Sequence, residues 1–271
     1  MKLKKTLIVS GTLAFVLSCA TNPFSGKKTM AFVSNDQLFP TSFAQYNQFL
    51  SENKVITGTA DANMVTRVGQ RIAKAAERYL DANGYQGYLK DYKWEYNLVD
   101  DKTVNAWCMP GGKIVVYTGI LPVTKNETAL AAVVGHEVAH ALANHGQQRM
   151  SAAYVQQGVA LAGNVALSGD KQSLDIFNQA YGVGSQVGVM LPFSRAHETE
   201  ADEIGLYLMA IAGYNPDEAA ELWKRMDAVG GEAPPEMLST HPSNASRIAN
   251  LTSLAPKAKA EAAKFGVTSF K

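Results

Sequence analysis

The stretch VVGHEVAHALANHG, residues 133–146, places two histidines four positions apart in a segment of otherwise small and apolar residues. On a helix, His136 and His140 lie one turn apart and project from one face, with Glu137 one residue round. Imidazole and carboxylate groups are costly to bury unless a bound group satisfies them. The stretch therefore predicts a buried helix that binds something at this face.

The spacing is H-E-x-x-H, in which both histidines bind one zinc ion and the glutamate holds a water. The alternative is a pair of surface or internally hydrogen-bonded histidines. Thr124 and Glu127 have the spacing of a capping box, so we predict a helix that begins near Lys125 and frays near residues 144–146. A capped helix with an apolar face favours the zinc site.

A catalytic zinc ion needs a third protein ligand and one open position. The extension H-x-x-G-x-x-H would require glycine and histidine where the chain has Ala143 and Gly146. His145 misses the required position by one residue, and we predict that it is solvated at the helix end. His197 is predicted to be exposed. The third ligand must come from another kind of residue.

The segment SRAHETEADEIGLYLMAIAGYNP, residues 194–216, predicts a second helix that carries this ligand. Glu198 shares a face with Ala201 and Gly205, whose small side chains permit close approach to the first helix. Asp202 lies one turn beyond Glu198 and can accept the second N–H of a ligand histidine. The alternative is a glutamate-rich helix start that only compensates the macrodipole.

Two further segments predict a small sheet. The strands are YKWEYNLVD (92–100) and GGKIVVYTG (111–119), and WCMPGG (107–112) is the bend between them. We expect the second strand to be an edge that pairs with extended substrate, rather than a buried hairpin strand. Cys108 raises the alternative of a thiol nucleophile, but nothing nearby activates it, and a small buried hydrophobe is favoured.

Other segments predict helices around this centre. DANMVTRVGQRIAKAAERYLDANG (61–84) has apolar residues at helical spacing, and NPDEAAELWKRMDAVGG (215–231) is predicted to be capped by Asn215. Residues 151–194, rich in Ala, Gly, Val and Gln, predict two mobile helices that cover the cleft. A hydrophobic membrane-binding surface is the less favoured role for them.

The N-terminus has the pattern of a secretory signal, residues 1–18, with three lysines before an apolar stretch too short to span a bilayer. The residues before Cys19 resemble a bacterial lipobox, which predicts acylation of Cys19. The alternative is an ordinary secretory peptide with an incidental cysteine. Ala20 is not the aspartate that retains enterobacterial lipoproteins in the inner membrane, so we expect an outer-membrane anchor.

Cleavage would leave 22 of 25 basic residues against 24 acidic ones, a net charge of about −2 with no nucleic-acid footprint. With Cys19 acylated, Cys108 is the one remaining thiol, so no intramolecular disulfide is expected. The predicted organisation is a lipidated, irregular tether over residues 19–60, one domain over 61–255, and a loosely held tail over 256–271.

Four segments resemble the gluzincin zinc metallopeptidases of the CAAX-prenyl protease, HtpX and Oma type, in particular their bacterial envelope lipoprotein branch. They are HEVAH (136–140), ETEAD (198–202), NAWCMPGGKIVVYTGIL (105–121) and STHPSNASRI (239–248). The resemblance covers roughly residues 62–251. It implies a mainly helical α+β, zincin-like metallopeptidase domain with a small β-sheet. The chain lacks the transmembrane helices of the integral-membrane branches.

The resemblance also implies the roles of individual residues. One Zn²⁺ per chain would be bound by His136, His140 and Glu198, with zinc-bound water as the nucleophile and Glu137 as the general base. His241 is a candidate to stabilise the oxyanion or, alternatively, to close on the zinc as an inhibitory ligand. Arg247 is a further candidate to stabilise the oxyanion, from behind the ligands. Asp202 is a candidate to hydrogen-bond the second nitrogen of a ligand histidine.

The resulting hypothesis is a zinc endopeptidase that hydrolyses misfolded or unassembled cell-envelope proteins. It would be held by its lipid at the periplasmic face of the outer membrane. The alternative is an envelope assembly or chaperone factor in which the zinc site is latent and binding is the function.

Overall fold

The computed structural model describes residues 19–185, 191–229, 237–238, 241 and 245–271. The predicted signal, residues 1–18, lies outside this part of the chain. The described chain forms two compact units, one of residues up to Leu38 with Asn144–His197, the other of Phe39–Ala143 with Glu198–Lys271. The fold is mainly helical with small sheets, as predicted.

The helices are α1 (Asn35–Glu52), α2 (Ala60–Ala82), α3 (Leu121–Thr124), α4 (Glu127–Leu142), α5 (His145–Ala166), α6 (Lys171–Ser185), α7 (Leu191–Ile211), α8 (Asp217–Val229) and α9 (Ala245–Lys264). The strands are β1 (Cys19–Thr21), β2 (Lys28–Met30), β3 (Val55–Ile56), β4 (Glu95–Val99), β5 (Ala106–Met109) and β6 (Lys113–Tyr117). A 3₁₀ turn, Thr118–Ile120, leads into α3.

Helix α4 carries the H-E-x-x-H motif through the core of the second unit. Every residue from Ala129 to Leu142 is buried, and the helix packs against α2, α8 and β5. Its cap is Asn126, whose side chain accepts from the Ala129 N–H at 2.8 Å. The predicted capping box is therefore wrong, because Thr124 ends α3 and its hydroxyl donates to the Leu121 carbonyl instead.

The four-stranded sheet of this unit has the order β3-β4-β6-β5. Strands β4 and β6 were predicted and run parallel, while β5 and β6 form an antiparallel hairpin. The predicted bend over 107–112 is too long, because residues up to Met109 pair with β6. The turn is residues 110–112, in which Gly111 and Gly112 have φ of 84° and 88°, values that glycine adopts without strain.

The prediction that the second strand, β6, lies at the edge of the sheet is wrong. Strand β6 is paired on both sides, so it cannot accept a further strand, whereas β5 ends the order of the described strands. Four of the five residues of β6 are buried, as is typical of a strand that lies inside a sheet and is covered on both faces. The described strands that end the order are β5 and the two-residue β3, and of the two β5 is the longer.

Residues 19–60 are not an irregular tether. They contain β1, β2, β3 and the 18-residue helix α1. Helix α1 buries Phe39 and Tyr46, and the Tyr46 hydroxyl donates to the Ile114 carbonyl at 3.3 Å. The sequence signal is weak because Pro40 lies within the helix and few of its residues face the core.

Helix α9 continues through Pro256 and buries Ala258 and Ala262, so residues after 256 are packed rather than loosely held. Lys271 then docks beside the start of α4. Its N–H donates to the Gly213 carbonyl at 3.1 Å, and its carbonyl accepts from the Asn215 N–H at 3.0 Å. The end of the sequence is thus part of the framework around the motif helix.

The first unit contains the β1–β2 hairpin and the helices α5 and α6, which match the two helices predicted for residues 151–194. The Phe32 N–H donates to the Ser151 hydroxyl at 3.1 Å, which ties the hairpin segment to α5. Among the described residues, none of the helices combines the length and apolarity required to cross a bilayer.

Candidate metal centre

Four buried side chains of the second unit converge on one point. The imidazoles of His136, His140 and His241 and the carboxylate of Glu198 have ligand atoms that all lie within 4.8 Å of one another. Nε2 of His136 is 3.1 Å from Nε2 of His140 and 3.2 Å from Nδ1 of His241. Both Glu198 oxygens lie 3.0 Å from Nδ1 of His241.

Helices α4 and α7 bring the ligands together because their backbones meet at glycines. A Cβ atom on Gly205 would lie 2.9 Å from the backbone nitrogen of His136, and one on Gly135 would lie 3.0 Å from the Gly205 carbonyl oxygen. Side chains at these positions would separate the helices. The close approach predicted from Ala201 and Gly205 is therefore confirmed.

Asp202 and Arg247 lie directly behind His136. Asp202 accepts a hydrogen bond from Nδ1 of His136 at 3.0 Å, which leaves Nε2 directed at the centre. Arg247 binds both oxygens of Asp202, with Nε at 2.8 Å and Nη2 at 2.6 Å. The guanidinium stacks on Trp223, 3.6 Å from the ring centre. The sequence reasoning missed Trp223, which lies at an ordinary core position of α8.

The electrostatics of the centre favour a positive charge between the carboxylates. Burial alone would lower the pKa of His136, but hydrogen bonds with Asp202 and Glu198 raise it to about 9. Burial would raise the pKa of Glu198, but its bonds with three histidines hold the pKa far below the ordinary range. The pKa of Asp202 is likewise lowered, against burial, by His136 and Arg247.

Glu137 lies at the same centre but outside the ligand cluster. Its Oε1 is buried and has no hydrogen-bond partner among the residues that the structure describes, and Nε2 of His241 is 3.4 Å away. An orphaned buried oxygen beside three imidazoles and a carboxylate fits a metal site that also holds water or substrate. Histidine nitrogen and carboxylate oxygen are zinc ligands, so the residues present fit one Zn²⁺ ion.

The structure contradicts the predicted environment of the other two histidines. His145 and His197 are buried in the first unit and stack on each other with ring centres 4.1 Å apart. Nε2 of His197 lies 3.1 Å from Oε1 of Gln148. The predictions failed because the stacking joins α5 to the start of α7, and no local pattern announces such a contact.

Cys108 is half-buried on β5. Burial, and secondarily the charge of Glu137, raises the pKa of its thiol well above the ordinary value. Thiolate is the nucleophilic form of cysteine. The structure therefore gives no support to Cys108 as a nucleophile and agrees with its prediction as a small apolar residue.

Comparison with known proteins agrees with this centre. The pattern of Peptidase family M48 matches residues 60–255, which include both ligand-bearing helices. The chain belongs to Peptidase family M48. The match to this family confirms the predicted resemblance to proteases of the Oma and HtpX type.

Similar proteins include several metalloendopeptidases. The mitochondrial metalloendopeptidase OMA1 of Schizosaccharomyces pombe is 38% identical over 190 residues, 69% of this chain and 53% of that protein. The human protein of that name is 27% identical, over 88% of this chain and 46% of its own length. The β-barrel assembly-enhancing protease of Escherichia coli is 26% identical, over 58% and 33%. The chain thus spans about half the length of these relatives, or less.

Proposed function

We propose that this protein is a zinc-dependent endopeptidase. The observation that carries the proposal is the convergence of His136, His140 and Glu198 at one buried point, with the free oxygen of Glu137 beside it. The M48 pattern over residues 60–255 and the metalloendopeptidase relatives support the same activity. His136, His140 and Glu198 would be the permanent ligands.

A zinc ion held by His136, His140 and Glu198 would supply Lewis-acid chemistry to the substrate carbonyl and to the attacking water. Glu137 is the general base in this proposal: its Oε1 takes a proton from the attacking water and returns it to the nitrogen of the leaving amine. Asp202 holds His136 in one tautomer through Nδ1, and Arg247 holds Asp202. These contacts orient the ligand before substrate arrives.

Strand β5 is the proposed docking site for the substrate backbone. It packs against α4 and is paired only with β6 among the strands that the structure describes. An extended peptide can add to it as a further strand, which would place a peptide bond near the catalytic helix without reference to side-chain identity. Such binding suits chains that have lost or not yet reached their fold.

We place the activity in the bacterial cell envelope, with misfolded or unassembled envelope proteins as substrates and membrane attachment through acylated Cys19. The signal-like residues 1–18 and the lipobox before Cys19 support this placement. The name of the Escherichia coli relative, which refers to β-barrel assembly, supports an outer-membrane setting. Cys19 is exposed, as an acylation site must be.

The decisive test is Glu137→Gln. Glutamine keeps the shape of the side chain but does not accept the proton, so zinc should stay near one equivalent per chain while casein cleavage falls by about 10²-fold or more. Zinc content by atomic absorption is measured beside cleavage on the same preparation. Loss of zinc, or full activity without the carboxylate, would contradict the role of Glu137.

A second candidate function is an assembly or chaperone factor with a latent zinc site. The position of His241 favours it, because Nδ1 lies within the ligand cluster, where the open coordination position belongs. Arg247 Nη1 donates to the His241 carbonyl at 3.2 Å and helps to hold it there. If His241 caps the metal, His241→Ala should raise casein cleavage; if it stabilises the oxyanion, cleavage should fall by about 10²-fold.

A further inference from the structure

An uncharged apolar stripe runs along helix α5. Its members are exposed although they are large and apolar: Met150 is 38%, Tyr154 50%, Leu161 67% and Val165 68% exposed. With 3.6 residues per turn, these four positions fall within about 60° of one another over a length of about 22 Å. One face of α5 therefore presents two pairs of exposed apolar side chains, Met150 with Tyr154 and Leu161 with Val165, separated by the turn of Gln157 and Gly158.

The stripe points away from the helix that partners α5. Helices α5 and α6 meet at Gly163, where an added Cβ would lie within the ring of Phe177. Gly163 lies on the opposite side of α5 from the stripe, roughly 140–180° round the axis from its members. The α5–α6 packing thus leaves the stripe uncovered.

The composition of α5 differs from that of an ordinary solvated helix. No Asp, Glu, Lys or Arg occurs between Met150 and Gly169, and the polar residues there are Ser, Gln, Asn and Tyr. Surface helices of soluble proteins usually carry charges on the side turned to water. Helices that lie in a membrane interface, lipid-packing sensors among them, bury an apolar face at the boundary between headgroups and acyl chains.

The occupant of this surface is identified by Cys19, which belongs to the same compact unit. Cys19 pairs with Met30 across the β1–β2 hairpin, and two residues after Met30 the Phe32 N–H donates to Ser151. Ser151 directly follows Met150, the first member of the stripe. Acyl chains on Cys19 would hold this unit at a bilayer surface.

We propose that the α5 stripe lies in the membrane interface as a second, reversible contact beside the lipid at Cys19. The proposal rests on the acylation of Cys19, and not on the peptidase activity. Lys27 and Lys28, exposed in the hairpin that carries Cys19, add attraction to anionic headgroups. The contact would orient the first unit on the bilayer instead of leaving it free on its anchor.

The test compares two faces of one helix. Leu161→Cys and, in a second protein, Val159→Cys are labelled with an environment-sensitive fluorophore in a Cys108→Ser background of the purified lipoprotein. Val159 is 45% exposed and lies about 160° round α5 from Leu161. The proteins are added to phosphatidylethanolamine and phosphatidylglycerol vesicles that contain an acyl-chain quencher. Val165→Cys serves as an independent second position on the stripe.

We expect quenching at residues 161 and 165 to exceed that at residue 159 by about threefold or more. Equal quenching on both faces, or none, would overturn the proposal. A spectral shift at residue 161 that grows with protein concentration without vesicles would assign the stripe to a second copy of the chain and would also overturn it. So would an N-terminal peptide whose mass shows no acyl chains. Zinc content and casein cleavage, measured separately, test the proposed peptidase independently of each of these results.

Discussion

Gly135 and Gly205 bring the backbones of the two ligand-bearing helices into direct contact, and neither position has room for a side chain. The gap between a Cβ at residue 205 and the His136 nitrogen would be only 2.9 Å, and the obstacle is backbone that cannot rotate away. The distance from His136 and His140 to Glu198 is therefore set by two residues that touch neither metal nor substrate.

Gly205→Ala should push α7 away from α4 and impair zinc binding. We expect a loss of about 1–3 kcal/mol in the free energy of unfolding and a weaker zinc affinity in chelator competition. Gly158→Ala is the control, since none of the described atoms lies within 4 Å of its added Cβ in α5. It should be neutral or stabilising by up to about 1 kcal/mol. Unchanged zinc affinity in Gly205→Ala would show that the contact is not needed.

Glu198→Ala and Glu200→Ala should separate the ligand from its neighbour on α7. Glu198 faces the centre, whereas Glu200 lies about 200° round the helix. Removal of one of three permanent ligands should lower zinc content and casein cleavage together, while Glu200→Ala retains both. If Glu200→Ala loses zinc and Glu198→Ala keeps it, the proposed ligand set is wrong.

Arg247→Lys should weaken zinc binding although the positive charge is kept. The ammonium group of lysine cannot bind both oxygens of Asp202 as the guanidinium does. It also lacks the flat group that stacks on the Trp223 ring. We expect zinc affinity to fall by about 10-fold to 100-fold, the usual effect of losing a group behind a ligand. The control is Arg225→Lys, because Arg225 pairs with Glu218 and not with a residue of the metal centre. This substitution should leave zinc affinity within about twofold of that of the unmodified protein.

Glu127→Gln should destabilise the protein in a pH-dependent way. The hydrogen bond from Arg67, with help from Lys271 and Tyr214, lowers the pKa of Glu127 from 4.5 to about 2. The ionised carboxylate stabilises the fold above pH 4.5, and this contribution is lost as the pH falls from about 4.5 to about 2.

The expected loss at neutral pH is about 1–2 kcal/mol, after allowance for solvent screening of a side chain that is 22% exposed. The difference between Glu127→Gln and the unmodified protein should shrink towards zero as the pH falls through that window. Denaturant unfolding of metal-free protein measures it, because acid also releases zinc from histidine. Glu221→Gln, which breaks only an exposed pair with Lys224, should change stability by less than about 0.5 kcal/mol at any of these pH values.

Cys19→Ser should move most of the protein from the membrane to the soluble envelope fraction. The substitution is combined with a leader that ordinary signal peptidase cleaves, so that export does not depend on the cysteine. The α5 stripe alone gives a reversible contact and should not retain the bulk of the protein. Extraction that still requires detergent would contradict the lipid anchor.

The sequence predicted the parts of the centre that depend on local periodicity and on metal chemistry. The four-residue spacing of His136 and His140 places them on one face of any helix, and the three-residue spacing of Ala201 and Glu198 does the same for α7. The choice of Glu198 over a third histidine followed from the absence of histidine at the required position. These inferences need no knowledge of which distant residues meet.

The failures all involve contacts between distant segments. Asn126 replaced Thr124 as the cap because α3 had already used the threonine hydroxyl. His145 was assigned to solvent because its stacking partner, His197, is 52 residues away in the chain. Strand β5 was taken for part of a bend because its pairing partner decides its conformation. The role of Trp223 was missed because its contact with Arg247, 24 residues later in the chain, is not visible in the sequence around it.

The docking of Lys271 has a practical consequence for anyone who labels or immobilises the protein. Its backbone bridges Gly213 and Asn215, its carbonyl also accepts from the hydroxyl of Thr128, and its ammonium group reaches Glu127. A tag joined there would start beside the first turn of the motif helix. A label attached to the Lys271 side chain would also remove its ion pair with Glu127.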